Sequence, residues 1–123
     1  MAQIADTNNM LWIPGCMTPT EIICAETLGV KMIKLFPGSI LGSSFMEAIK
    51  PLFPNLLFIP TGGVDFHAEN IKNWFQAGVC AMGMGSKLVT KTIIENKQYE
   101  ELTTLTKQVL QLIQSAVKIR YKL

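Results

Sequence analysis

A lysine stands in an apolar row near the end of a short β-prone run, VKMIKLFPG at residues 30–38. Side chains alternate faces along a strand, so Val30, Met32, Lys34 and Phe36 share one face, and Lys31, Ile33 and Leu35 share the other. Desolvating an ammonium in such a row favours the neutral amine, the form that adds to a carbonyl. Lys34 is therefore a candidate for imine chemistry. The competing role is a lysine that reaches past the strand end to solvent or to a buried carboxylate. Two further apolar runs end in glycine turns, IPTGGV at 59–64 and AMGMGSKL at 81–88. Glycines at 62, 63 and 85 let backbone N–H groups converge on a phosphate, and the hydroxyls of Thr61 and Ser86 add donors. Such turns are also ordinary connectors. A third turn, IPGCMTPTE at 13–21, combines Pro14 and Gly15 with Thr18 at the start of a helix. Gly15 permits a tight turn there, and the helix N-terminus is a place an anion can face, although a plain capped turn explains the same residues.

The elements that must position these groups alternate along the chain. Apolar runs at 11–14, 31–37, 56–61 and 79–83 each end at Pro or Gly and are followed by a longer amphipathic segment, the pattern of β-α units on a parallel sheet. Thr18, Pro19 and Glu21 form a capping box for the first helix, which Gly29 stops. A second helix is expected at about 43–49, ending against Pro51. A third, over 67–77, puts Ile71, Trp74 and Phe75 on one face before Gly78. A last helix over 99–117 repeats Leu102, Leu105, Val109, Leu112, Ile113 and Ala116 at helical spacing. Residues 1–8 read as the tail of an earlier helix. Runs that are apolar on both faces need cover on both sides, so four such units are either doubly wound or half of a barrel. In both, functional positions lie at the C-terminal strand ends, and glycine turns after the last two strands are where such barrels bind phosphate.

Composition sets the class. The 123 residues are 49% hydrophobic, with eleven Lys and Arg against nine Asp and Glu, a formal charge of +2. One soluble unit spanning 1–123 is expected. The charges are scattered, so neither a nucleic-acid partner nor a membrane surface is indicated. No apolar run is long enough to span a bilayer, and a cytoplasmic location is expected. Cys16, Cys24 and Cys80 lack metal-ligand or redox-pair spacing and read as buried reduced thiols, so no metal is expected.

The ordered set I-P-G-C-M-T-P-T-E, K-L-F-P-G, P-T-G-G-V and G-M-G-S, over about residues 10–89, resembles the 2-keto-3-deoxy-6-phosphogluconate aldolase family, including its 4-hydroxy-2-oxoglutarate members. The resemblance implies a (β/α)8 TIM barrel of which this chain covers about the last four β-α units, a C-terminal half-barrel. It places the Schiff-base role on Lys34, followed by Phe36 and Pro37. The family's Thr-Gly-Gly and Gly-Ser turns, which hold the substrate's phosphate and carboxylate ends, fall on Thr61, Gly62 and Gly63 and on Gly85 and Ser86, with Pro14 and Gly15 bordering the site. It implies cleavage of a keto sugar acid to pyruvate and an aldehyde without a cofactor, the substrate being a small keto acid or phosphorylated sugar acid. It also implies a homo-oligomer, a trimer in the family, with self-pairing open to a half. Gly38 and Ser39 replace the Ala-Glu found after Phe-Pro in many members, and no residue matches the family's early-strand acid/base Glu or its nearby Arg. The alternative is a catalytically silent half-barrel that binds phosphosugars or assembles with a partner.

Overall fold

The computed structural model describes residues 1–121, with side chains through Lys118. Residues 122 and 123 of the expected single unit lie outside the described residues. The chain opens on α1 (Ala2–Thr7) and then forms β1 (Gly15–Cys16), α2 (Pro19–Thr27), β2 (Met32–Leu35), α3 (Gly38–Ile49), a 3-10 turn (Lys50–Leu52) and β3 (Leu57–Pro60). It continues through α4 (Ala68–Ala77), α5 (Lys91–Glu95) and α6 (Tyr99–Tyr121). The short α5, capped by the Thr90 hydroxyl on the Ile93 N–H, was not among the expected elements.

α2 forms where its cap dictates. Thr18 is extended, its hydroxyl accepts the Glu21 N–H, and the Glu21 carboxylate accepts the N–H groups of Met17 and Thr18, each at 2.8 Å. These bonds, the two backbone donors first and the Thr18 hydroxyl after them, hold the Glu21 carboxyl below its ordinary value of 4.5. A group depressed on folding stabilises the fold above its unfolded value, and that stability is lost as pH falls through the folded one. The thermal advantage of the native chain over Glu21→Gln is therefore expected to be full at neutral pH and to shrink below pH 4.5. Melting curves of both proteins at stepped pH would check it, and a gap that stays constant into acid would refute it.

The three strands are parallel in the order β1-β2-β3. β1 begins later than the expected 11–14. Pro14 has no N–H to give a ladder, so pairing starts at its carbonyl, which accepts the Lys34 N–H at 2.9 Å, while Leu11 stays 75% exposed. The run at 79–83 lies beside β3 yet makes only one bridge, Thr61 with Gly83. Its Cys80 and Gly83 N–H groups reach the carbonyls of Phe58 and Pro60, so three steps on one side match two on the other. That is a bulge, and Pro60 removes the donor that would have continued the ladder on that side. The second expected helix starts earlier, at Gly38. A non-helical Gly42 breaks it, and the expected 43–49 is its second segment. α4 follows His67 and ends at left-handed Gly78, close to expectation.

Cover is one-sided. In β2, Ile33 and Leu35 are fully buried, whereas Met32 and Lys34 are half-buried, and in β3 Phe58 is buried while Leu57 is 45% exposed. The buried residues of α2, α3, α4 and α6, among them Ile22, Met46, Trp74 and Ala116, join these strand residues in one cluster. Helices thus pack on a single face, and the doubly wound alternative is not what forms. Each of the larger aliphatic side chains, such as Ile22, Ile33, Leu35 and Met46, contributes roughly 1.5–3 kcal/mol on burial.

Lys50 secures the entry to β3. Its ammonium donates to the carbonyls of Pro54 at 2.9 Å and Leu56 at 2.8 Å, more weakly to Phe53, and lies 5.7 Å from the Phe58 ring centre. Lys50→Met keeps the apolar stem but leaves part-buried carbonyls without this donor, at a cost of about 1–3 kcal/mol. Urea unfolding is expected to show a lower midpoint with an unchanged slope; an unchanged midpoint would remove the role.

Candidate active site

Register builds a site at the C-terminal end of the open face. Lys34 is paired with Gly15 on one side and Ile59 on the other. In parallel strands paired residues point the same way. One step further, the Thr61 N–H donates to the Leu35 carbonyl at 3.0 Å, which sets Thr61 beside Phe36, and the Thr61–Gly83 bridge extends that row. Gly15 carries no side chain, so the space on that side of Lys34 stays open, whereas at Gly83 the Thr61 hydroxyl lies 2.6 Å from where a Cβ would stand. Gly15 lies within β1, not in the tight turn expected for it, and a Cβ there would meet nothing within 4 Å.

Lys34 is half-buried, with its Nζ 4.9 Å from the centre of the Phe36 ring. Phe36 is itself 50% exposed. Among the described residues no carboxylate lies within 4.0 Å of Lys34, and the only ion pair, Lys91 with Glu95, is exposed and remote in sequence. Among the described residues no charged side chain is buried, so none of them offers this lysine a buried carboxylate. Its amine is left facing open space beside an aromatic ring.

The loop after β2 and the loop after β3 fit closely together. The Phe36–Pro37 peptide is cis, and the Gly38 N–H donates to the Thr61 carbonyl at 2.8 Å. A Cβ on Gly38 would sit 2.5 Å from the Gly62 carbonyl oxygen, one on Gly62 would sit 3.3 Å from the Phe36 ring, and one on Gly63 would overlap Ser39. Gly62 and Gly63 both adopt left-handed φ, 79° and 75°, which glycine adopts without strain. Phe36, Pro37, Thr61, Gly62 and Gly63 are thus brought together with Lys34. Gly38 and Ser39 belong to the same junction and were not singled out as site residues, although a glycine directly after Phe-Pro was the available signal.

The remaining residues are placed differently. Pro14 contributes its carbonyl to the ladder beneath Lys34. The Thr18 hydroxyl and amide are both engaged by Glu21, so the anion at that helix end is the chain's own carboxylate. Gly85 and Ser86 stand beyond Gly83, where the Gly85 carbonyl closes a turn on the N–H groups of Leu88 and Val89. Among the described residues no hydrogen bond ties them to the Thr61 loop, and the N–H groups of Gly63, Gly85 and Ser86 have no protein acceptor.

The order of these motifs has a counterpart in known proteins: a family model described as KDPG and KHG aldolase matches residues 1–105. The chain belongs to that family. The 2-dehydro-3-deoxy-6-phosphogalactonate aldolase of Escherichia coli (strain K12) is 37% identical over 76 residues, 61% of this chain and 36% of that protein. The 2-dehydro-3-deoxy-phosphogluconate aldolase of Treponema pallidum (strain Nichols) is 33% identical over 103 residues, 82% of this chain and 48% of that one. A solved native KDPGal structure superimposes with a TM-score of 0.74 at 27% identity, covering 92% of this chain and 54% of the other. A cube-shaped cage designed by fusing symmetric oligomeric domains superimposes with a TM-score of 0.82 at 26% identity, covering 98% and 43%. This KDPG and KHG aldolase family chain thus spans between 36% and 48% of the length of these two curated relatives.

Within this family member, Cys16 is buried, and its thiol is pushed above the ordinary 9.0 first by that burial and then by the charge of Glu21 and by Cys24. That shift favours the thiol over the thiolate, the form in which a cysteine is less reactive. Cys24 and Cys80 are exposed, contrary to the expectation of burial: Cys24 lies on the outer side of α2, and Cys80 follows the buried Val79 at the bulge. No group of three or more His, Cys, Asp or Glu able to hold a metal occurs among the described residues, and none of their helices is long and apolar enough to cross a membrane.

Proposed function

We propose that this chain is the imine-forming half of a class I aldolase barrel, cleaving a 2-keto-3-deoxy sugar acid of the 6-phosphogluconate type, or 4-hydroxy-2-oxoglutarate, to pyruvate and an aldehyde. The single observation that supports this best is Lys34: a half-buried amine on the open sheet face, without a carboxylate partner among the described residues, beside Phe36 and the glycine-lined Thr61 loop. The neutral amine adds to the substrate ketone, its proton moves to the ketone oxygen to give a carbinolamine, and a second proton, taken from solvent, lets the hydroxyl leave as water and gives a protonated imine. That cation accepts the electron pair of the breaking C–C bond as the distal hydroxyl loses its proton, so an aldehyde departs and an enamine of pyruvate remains. Protonation at carbon and hydrolysis then release pyruvate and the free amine. No cofactor enters any of these steps. The N–H groups of Gly63, Gly85 and Ser86 and the Thr61 hydroxyl are donors suited to the phosphate and carboxylate ends of the substrate.

The distal hydroxyl needs a proton acceptor, a contribution typically of about 100- to 10,000-fold in rate. Glu21, the carboxylate bonded at the β1 end of the sheet, is tied to three donors and held ionised by them, a poor base. Imine formation is therefore the step assigned to this chain's own residues. Incubation with pyruvate and borohydride, followed by peptide mass spectrometry, tests it. The expected product is a reduced pyruvate adduct on Lys34; an unmodified Lys34 would overturn the reading.

A further inference from the structure

We propose that Trp74 of α4 is a positioning residue for imine formation: its buried indole fixes where the loop after β2 rests against the loop after β3, and so the place of Phe36 beside the Lys34 amine. The inference rests on the imine role given to Lys34 above and adds to it a core residue that the reaction itself does not use.

Gly38 is where the parts meet. It is buried, its N–H donates to the Thr61 carbonyl at 2.8 Å, and a Cβ built on it would stand 2.5 Å from the Gly62 oxygen, 3.2 Å from the Thr61 oxygen and 3.5 Å from Cζ2 of Trp74. One side of this glycine is therefore enclosed by two carbonyls of the β3 loop and by the edge of the indole. Of these three neighbours only the indole comes from outside the two loops. Trp74 is 2% exposed and belongs to the same core cluster as Ile33, Leu35 and Phe58. A close-packed interior has low compressibility and passes strain on, so a change at this ring is felt at the glycine resting on it.

The same helix holds the other loop. One turn before Trp74, the Asn70 Oδ1 accepts the Asp65 N–H at 3.4 Å, and the Asp65 Oδ1 accepts the His67 N–H at 2.9 Å, so the chain running on from Gly63 is tied to the start of α4. Asn70 and Trp74 are four residues apart and share a face of the helix. α4 thus meets the β3 loop through Asn70 and the β2 loop through Trp74, and it sets the spacing at which Gly38 and Thr61 bond. Truncating the indole leaves a space beside Gly38 that the surroundings fill only in part. The backbone settles toward it, and Phe36, two residues earlier, shifts relative to the Lys34 Nζ, now 4.9 Å from the centre of its ring. Such a shift matters for rate, because a misplacement of about 1 Å, even from a change remote from the chemistry, lowers it by as much as about a hundredfold.

The test compares Trp74→Leu and Trp74→Phe with Phe53→Leu in the full chain, by melting temperature and by the rate of borohydride-trapped pyruvate adduct formation over a range of pyruvate concentrations, at a temperature where the proteins are folded. Phe53 is also buried, but it precedes β3, at the end of the sheet opposite the loops. All three variants are expected to melt below the native chain. At saturating pyruvate, Trp74→Leu is expected to slow trapping by about tenfold or more, Trp74→Phe, which keeps a ring, by less, and Phe53→Leu by no more than about twofold. Native-rate trapping by a folded Trp74→Leu, or equal slowing by Phe53→Leu, would overturn the role. Should Trp74→Leu fail to fold, Trp74→Phe decides on the same comparison. Fluorine NMR on the same proteins labelled with 4-fluorophenylalanine separates the two readings, the Phe36 resonance being assigned by its loss in Phe36→Leu. That resonance is expected to shift in Trp74→Phe and to stay in place in Phe53→Leu, whatever the trapping shows. A native chain that traps nothing while Phe36 shifts overturns the imine role alone, and a Phe36 signal unmoved by the Trp74 variant overturns the positioning alone.

Discussion

Lys34→Met is expected to abolish the borohydride-trapped pyruvate adduct and to lower any aldol turnover by on the order of a thousandfold or more, while leaving the fold at least as stable as before. The two halves of that expectation come from the same geometry. The ammonium is half-buried on the open face, with no carboxylate within 4.0 Å among the described residues. Its electrostatic support is the Phe36 ring at 4.9 Å, a contact of about 0.5–1 kcal/mol where water has access. Methionine matches the stem in shape and suits the row formed with Met32 and Ile59, so the loss of that contact is offset by apolar burial. Lys34→Arg sharpens the test, because it keeps the charge over Phe36 but cannot supply a neutral amine. It too should trap nothing. Lys50→Met gives the mirror image, with stability lost and trapping retained, since Lys50 serves the carbonyls at the entry to β3 and not the open face. If Lys34→Met unfolded the chain as readily as Lys50→Met, Lys34 would be a structural residue, and the imine role would lose its main support.

Local signals in the sequence are legible where one or two residues decide the outcome. Thr18, Pro19 and Glu21 specify the start of α2, Gly78 the end of α4, and the apolar spacing from Leu102 to Ala116 the last helix, each through bonds or packing within a few residues. The β2 row was legible too, since alternation alone separates Ile33 and Leu35 from Met32 and Lys34. The misses have a common cause: they depend on what another strand offers. The start of β1 was displaced because Pro14 can accept but not donate, and the last run was reduced to one bridge because Pro60 lacks the N–H that faces it. The neighbours of Gly15 in sequence point to a turn, whereas its effect is to leave space beside Lys34, a neighbour in register. Which face the helices cover could not be read from runs that are apolar on both. The site followed the same division: Lys34 and Thr61 were evident as types, but the fit between Gly38, Ser39 and Gly63 exists only once two loops meet.

That fit carries the other large expected effect. Gly63→Ala should destabilise the chain and slow imine trapping together, whereas Gly85→Ala should do little to stability. At Gly63 φ is 75°, and an added Cβ overlaps the Cα, Cβ and backbone N of Ser39. The left-handed conformation alone costs an ordinary residue roughly 1–2 kcal/mol, and overpacking adds about 1–3 kcal/mol. Ser39 has little freedom to retreat, because the preceding Gly38 N–H is bound to the Thr61 carbonyl at 2.8 Å and a Cβ at Gly38 would itself meet the Gly62 oxygen at 2.5 Å. Relief therefore requires the two loops to separate, which moves Phe36 away from its place over the Lys34 amine and releases Thr61 from its row. A fall in melting temperature of more than about 5 °C is expected for Gly63→Ala, with a slower approach to the trapped adduct at the same pyruvate concentration. Gly85 has no left-handed φ, and a Cβ there meets nothing within 4 Å, so its alanine variant should melt within a degree or two of the native chain. Equal melting of the two variants would mean that the loops are not held against each other. A large stability loss at Gly63 with full trapping would mean that the loop junction supports the fold without positioning Phe36 and Lys34.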